Sequence, residues 1–209
     1  MTRDIPVEPS LETNAPALWL ASFPWPKTDG HKHSRGRLGV VSGAPLKTGA
    51  ARLAARGGLR IGAGTVRMLA TPEAATVLAP SLEAVMLFPF GNPDQLAELA
   101  EVLDAVVIGP SAGLDHGTIA NLEALQTTGA ALVVDADALS IFKGRPDALF
   151  ALLDRDDVIT PHEGEFERLF PGLLSEGRPA AAAEAARRTG CVVVLKGAET
   201  LIATPDGRM

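Results

Sequence analysis

Seven short apolar runs, separated by stretches with helical signals, constrain this chain more than any other feature. They fall at residues 38–41, 65–69, 85–88, 105–108, 131–134, 158–159 and 192–195. The spacing predicts helices near 48–61, 94–102, 116–128, 146–153, 164–170 and 179–189, with a further helix opened by Thr71-Pro72-Glu73. The helix at 179–189 is the best bounded, with Pro179 near its start and Gly190 just after Arg187 and Arg188. Near-continuous apolar strands alternating with helices predict an α/β fold, a mostly parallel sheet with helices on both faces. No fixed-period repeat and no linker divides the chain. It therefore reads as a single domain over residues 1–209, with a proline- and polar-rich N-terminal extension at 1–35. Trp19, Phe23 and Trp25 in that extension are expected to pack across the domain surface.

Composition excludes several classes. Hydrophobic residues make up 46% and charged residues 21%, which suits a folded core. A net charge of −6 without a basic stripe argues against nucleic-acid binding. No apolar run is long enough for a membrane span. Asp4 and Glu8 interrupt any basic-then-apolar signal pattern. Cys191 stands alone, so no internal disulfide is expected, and a cytoplasmic location follows as the expectation. Within Cys191-Val192-Val193-Val194-Leu195 it reads as a small buried hydrophobe.

The chemistry-bearing residues gather where strands end, the edge at which open α/β sheets bind ligands. In Asp157-Val158-Ile159-Thr160-Pro161-His162-Glu163-Gly164-Glu165-Phe166 a buried strand runs into a helix. Thr160 reads as the N-cap, Pro161 as the first helical residue and Glu163 as the return partner of a capping box. Free helix N–H groups would then favour an anionic ligand, with His162 and Glu165 facing it. Ser42-Gly43-Ala44-Pro45-Leu46-Lys47-Thr48-Gly49 is either a ligand-cradling loop or an ordinary turn. It is no Walker A loop, because Leu46 stands where a glycine must precede the lysine. Gly109-Pro110-Ser111-Ala112-Gly113 leaves the same two readings. Asp135 either supports a bound Mg²⁺ or binding loop, or is structural; Asp137 reads as structural, a helix cap. Lys196-Gly197 follows a buried strand and either meets nucleotide phosphates or opens a hairpin to a strand at 201–203. Gly62-Ala63-Gly64 reads as a helix stop, and Gly57 and Gly58 as close-packing positions. His31-Lys32-His33 reads as a solvated turn and not a zinc site.

In order, Gly30-His31-Lys32-His33-Ser34-Arg35-Gly36, Thr48-Gly49-Ala50-Ala51-Arg52-Leu53-Ala54-Ala55, Leu59-Arg60-Ile61-Gly62-Ala63-Gly64, Val107-Ile108-Gly109-Pro110, Val134-Asp135-Ala136-Asp137-Ala138-Leu139, Thr160-Pro161-His162-Glu163-Gly164-Glu165-Phe166 and Val194-Leu195-Lys196-Gly197-Ala198-Glu199-Thr200 form a set. That ordered set resembles the NAD(P)H-hydrate dehydratase domain of the ribokinase-like superfamily, across residues 16–209. The resemblance implies a three-layer α/β/α ribokinase-like fold. It implies an ADP-dependent hydro-lyase, with ATP as the alternative nucleotide and Mg²⁺ required. Such an enzyme phosphorylates the ring hydroxyl of hydrated NADH or NADPH and then eliminates phosphate, leaving NAD(P)H, AMP and phosphate. Ala50, Ser111 and His162 would contact the hydrated dinucleotide. Lys196, Gly197, Ala198, Glu199 and Thr200 would hold the adenine nucleotide, and Glu165 would order Mg²⁺-bound water. A homo-oligomer is implied, and in many relatives an epimerase domain is fused to this one.

Two departures accompany the resemblance. Ser111 replaces the last glycine of the family's Gly-Pro-Gly, which puts a Cβ beside the ligand. The family's Gly-x-Gly-Asp segment, source of its anion hole and presumed base, has no counterpart in residues 1–209. The expectation is a domain truncated at its C-terminus, with the base beyond Met209 and no catalytic residue within the chain. A ribokinase-like small-molecule kinase and a degenerate nucleotide-binding domain are the competing readings.

Overall fold

The computed structural model describes residues 11–209; Asp4, Glu8 and the rest of the first ten residues lie outside the described part. A short helix α1 (Pro16–Trp19) precedes strand β1 (Arg37–Val41). Helix α2 (Gly49–Ile61), β2 (Thr65–Ala70), α3 (Pro72–Leu78) and β3 (Met86–Pro89) follow. Next come α4 (Pro93–Ala100), β4 (Ala105–Ile108), α5 (His116–Gln126) and β5 (Ala131–Val134). Two short helices, α6 (Asp137–Ser140) and α7 (Pro146–Phe150), lead to β6 (Val158–Ile159). Helices α8 (Glu163–Leu169) and α9 (Arg178–Thr189) precede β7 (Val192–Leu195) and β8 (Leu201–Ala203). All eight strands form one sheet in the order β3-β2-β1-β4-β5-β6-β7-β8. Every pairing is parallel except β7 with β8, which is antiparallel. After β3 the chain returns past β1 to β4, so the sheet grows in both directions from β1.

Local chemistry explains the element ends. Thr71 caps α3 by accepting the Ala74 N–H, Asn92 caps α4 through Gln95, and Asp115 caps α5 through Gly117 and Thr118. Gly62 ends α2 with a positive φ, and Gly190 ends α9 in the left-handed region. Gly58 packs its backbone on β1: a Cβ there would lie 2.2 Å from Leu38 Cδ2. Gly57, expected to pack closely too, faces open space and has no such reason for lacking a side chain.

Helices lie on both faces of the sheet, as expected, with a larger core on one side than on the other. One face carries α4 to α9 over the main core, which includes Ile108, Leu132, Val134, Ile159, Phe166, Val193 and Leu195. The other carries α2 and α3, which pack chiefly on β1, β2 and β3, with Val107 of β4 at the edge of that second core. Across β4 to β7 the register lines up Val107, Val133, Val158 and Val192 on that second face, and all four are only partly buried. Apolarity on both sides of a strand is visible in sequence; which side a helix covers is set by the crossover direction, which is not. Trp19 and Trp25 each meet Phe23 with tilted rings, and both remain well exposed, at 41% and 62%. Cys191 is buried, and desolvation pushes its thiol up to about 11, which makes it inert.

Candidate active site at the carboxyl edge of the sheet

The ends of β5, β6 and β7 bring four functional side chains together. Val134 pairs with Ile159 and Ile159 with Val193, so residues just beyond these strands emerge side by side. Lys196 Nζ donates to Asp135 Oδ1 at 2.7 Å and lies 3.9 Å from Glu165 Oε2. His162 Nε2 sits 3.5 Å from Glu165 Oε1. Glu165 is 6% exposed, a buried carboxylate in a cluster whose other members are partly open to solvent.

The helix start at this edge differs from the sequence reading. Thr160 is not the N-cap and Pro161 is not helical. Thr160 N–H donates to Val134 O, Lys196 N–H donates to Pro161 O, and His162 bridges Lys196 in parallel register. Pairing with both neighbours keeps 160–162 extended and delays the helix by two residues. His162 becomes the N-cap of a capping box: its Nδ1 accepts from the Gly164 and Glu165 N–H groups, and its own N–H donates to Glu165 Oε2 at 2.8 Å. The first-turn N–H groups are therefore taken up by the cap and are not free for an anion. With Nδ1 accepting, Nε2 is the ring nitrogen left to donate; it lies on the Glu165 side of a half-exposed ring.

Two more loops reach the same edge after β1 and β4. Ser42 continues from β1, and Gly43 lies so close to Ser111 that a Cβ would stand 2.0 Å from the Ser111 carbonyl oxygen. Gly109 has a φ of 124°, and a Cβ there would meet Asp135 O at 1.7 Å. Only glycine fits that turn. Ser111 adopts a φ of 60°, in the left-handed region, in keeping with its place at a position the family fills with glycine. Ala50 lies exposed in the first turn of α2, reached through the same loop. The turn Gly197-Ala198-Glu199-Thr200 is exposed and joins β7 to β8, so the hairpin reading of this segment is correct as topology.

Sequence reasoning missed Arg178. Its guanidinium pairs with Glu163 at the start of α8, donates to Glu199 O at 2.7 Å and reaches Leu195 O at 3.4 Å. It lies under Gly197, where a Cβ would stand 2.5 Å from a guanidinium nitrogen. One arginine thus braces the turn at 197–200 against two other elements. An arginine beside a proline at a helix start gives no hint of this. Asp137 is structural as expected, but by another route: it opens α6 and accepts the Gly113 N–H at 2.9 Å, tying the β4 and β5 loops. Asp135, left open by sequence, belongs to the Lys196 cluster. His31 and His33 lie exposed beside a short 3₁₀ turn, and no group of three metal-ligating side chains occurs among the described residues.

An open, mostly parallel sheet with its polar side chains at the carboxyl edge defines an α/β protein of the doubly wound kind. A ribokinase-like superfamily protein from Enterococcus faecalis has this fold, with a TM-score of 0.76 over 86% of this chain and 64% of its own, at 24% identity. The family model described as NAD(P)H-hydrate dehydratase matches residues 38–209, and the chain belongs to that family. An ADP-dependent (S)-NAD(P)H-hydrate dehydratase from Xanthomonas campestris is 32% identical over 92% of this chain and 69% of its own length. A bifunctional NAD(P)H-hydrate repair enzyme from Gloeobacter violaceus is 39% identical over 86% of this chain. The match spans 36% of that bifunctional protein's length. The ADP/ATP-dependent NAD(P)H-hydrate dehydratase from Bacillus subtilis, crystallised with ATP and Mg²⁺, superposes with a TM-score of 0.73 at 28% identity, covering 88% of this chain and 66% of its own.

Proposed function

We propose that this chain is an ADP-dependent (S)-NAD(P)H-hydrate dehydratase, returning hydrated NADH or NADPH to the reduced cofactor with release of AMP and phosphate. The observation that carries this reading is the Lys196–Asp135–Glu165–His162 cluster at the aligned ends of β5, β6 and β7. Lys196 and the turn 197–200 bind the nucleotide, the ammonium meeting a phosphate as a point charge. His162 offers its half-exposed ring to the dinucleotide, and Ser111 and Ala50 line the approach from the β4 and β1 loops. No catalytic base is assigned among residues 1–209.

Mg²⁺ fits this arrangement in one manner only. Two carboxylates, Asp135 and Glu165, flank one ammonium, too few ligands for a metal held by protein alone. Magnesium keeps several waters and relies on substrate phosphates, so one buried carboxylate holding a metal-bound water suffices. Glu165 fits that role: Oε2 accepts the His162 N–H, and Oε1 retains capacity. When bound, the ion would neutralise charge on the phosphates; Glu165 would orient its water.

The proposal extends to a cytoplasmic homo-oligomer acting with an epimerase. No helix among the described residues is long and apolar enough to cross a membrane.

The test is recovery of nicotinamide absorbance from hydrated NADH with Mg²⁺ and ADP or ATP. It is run on this chain and on one carrying the natural gene's following segment, if there is one. Recovery in either supports the dehydratase. Nucleotide binding without recovery in both sinks it in favour of a binding-only domain.

A further inference from the structure

A groove of about 520 Å³ runs along α2, beginning at Gly49, one residue before Ala50. Its second wall is the segment 81–85 that leads into β3, so it lies on the far side of β1 from the Lys196 cluster. Arg52 and Arg56 stand one helical turn apart along it. Neither guanidinium makes an ion pair among the described residues. Glu83 is the one carboxylate among the lining residues, so the groove is locally positive on a chain whose net charge is −6. Leu53, Leu59, Leu82 and Val85 supply apolar surface between these charges.

Paired guanidinium groups suit a diphosphate, the carboxylate accepts from sugar hydroxyls, and leucine surface suits a planar base. We infer that this groove takes the adenosine-diphosphate-ribose half of the hydrated dinucleotide, with Arg52 and Arg56 on the diphosphate and Glu83 on a ribose hydroxyl. The choice of ligand rests on the dehydratase reading. The nicotinamide end would lie at Ala50, Ser111 and His162, and the groove continues from Ala50 in the opposite direction from the nucleotide turn at 197–200.

The experiment is calorimetric titration of the full chain with ADP-ribose, with hydrated NADH and, separately, with ATP and Mg²⁺. The variants are R52E/R56E and, as a milder partner should charge reversal disturb α2, R52Q/R56Q. Both guanidinium contacts are charge-assisted, so each variant weakens ADP-ribose and hydrated NADH by about tenfold or more. ATP affinity stays within about twofold, because a screened charge acts weakly at a distance. Unchanged ADP-ribose affinity in a folded variant overturns the assignment, as does ADP-ribose failing to bind the unaltered chain. A parallel loss of ATP affinity overturns it too, by placing the co-substrate in the groove. Failure of the dehydratase reading looks different: hydrated NADH would bind the unaltered chain no more tightly than ADP-ribose, while the two variants would still weaken ADP-ribose.

Discussion

Lys196 reaches across the end of β6 to place its ammonium 2.7 Å from Asp135 Oδ1, joining residues 61 positions apart in the chain. Both side chains are partly open to solvent, at 40% and 27%, so the pair contributes about 1 kcal/mol or less to stability. Its value is in aiming the ammonium. Asp135→Asn should leave thermal stability nearly unchanged and weaken ADP or ATP binding several-fold. Equilibrium titration reads the affinity and calorimetry the stability; equal loss of both would mean the pair is structural.

Glu165 accepts the His162 N–H inside a nearly closed environment. Glu165→Ala orphans that donor and should cost about 1–3 kcal/mol. Glu165→Gln keeps an acceptor oxygen and should cost less, yet it removes the charge that would hold Mg²⁺-bound water. A raised Mg²⁺ requirement in the Gln variant, measured by turnover against metal concentration, separates the two roles.

Ser111 holds a φ of 60° that glycine adopts without strain. Ser111→Gly should stabilise the protein by about 0.5–1 kcal/mol, after allowing for glycine's larger unfolded-state entropy, a rise of about 1–4 °C in Tm. If Ser111 contacts the dinucleotide as proposed, removing its Cβ should also lower KM for the hydrate. A fall in Tm would show that the Ser111 side chain makes a compensating interaction.

Arg178 braces the turn at 197–200 through Glu199 O and Leu195 O. Arg178→Ala should speed amide hydrogen exchange in that turn while leaving β5 and β6 protected. Nucleotide affinity should fall with it. Unchanged exchange would mean that the turn holds its shape alone.

Glu184 is held down to about 2 by hydrogen bonds from Arg187 first and Arg188 second. Its ordinary value is 4.5, so between 4.5 and about 2 the unfolded state binds more protons than the folded one. The stability it contributes is fully present above 4.5 and drains away as pH falls toward 2. Both arginines are well exposed, which limits each pair to about 1 kcal/mol or less. Glu184→Gln should flatten this part of the acid limb in pH-dependent denaturation.

Strand positions were legible because a buried parallel strand must be apolar on both sides, and four runs, from Ala105, Ala131, Val158 and Val192, coincide with the observed strands to the residue. The site's location was legible for a related reason: polar residues directly after such runs have nowhere to go but the carboxyl edge. The helix start at His162 was misread, because Thr160-Pro161 has good capping chemistry in isolation. Only the pairing of 160–162 with both neighbouring strands overrides it.

Sequence by itself determined the alternating elements and the set of polar residues at the strand ends, since each depends on residues within a turn or two of chain. Tertiary structure decided the rest. The order of strands brought Asp135, His162, Glu165 and Lys196 into one cluster and set Arg178 beneath the turn at 197–200. These are contacts between distant segments, fixed by crossover direction and strand register, and no local pattern carries that information.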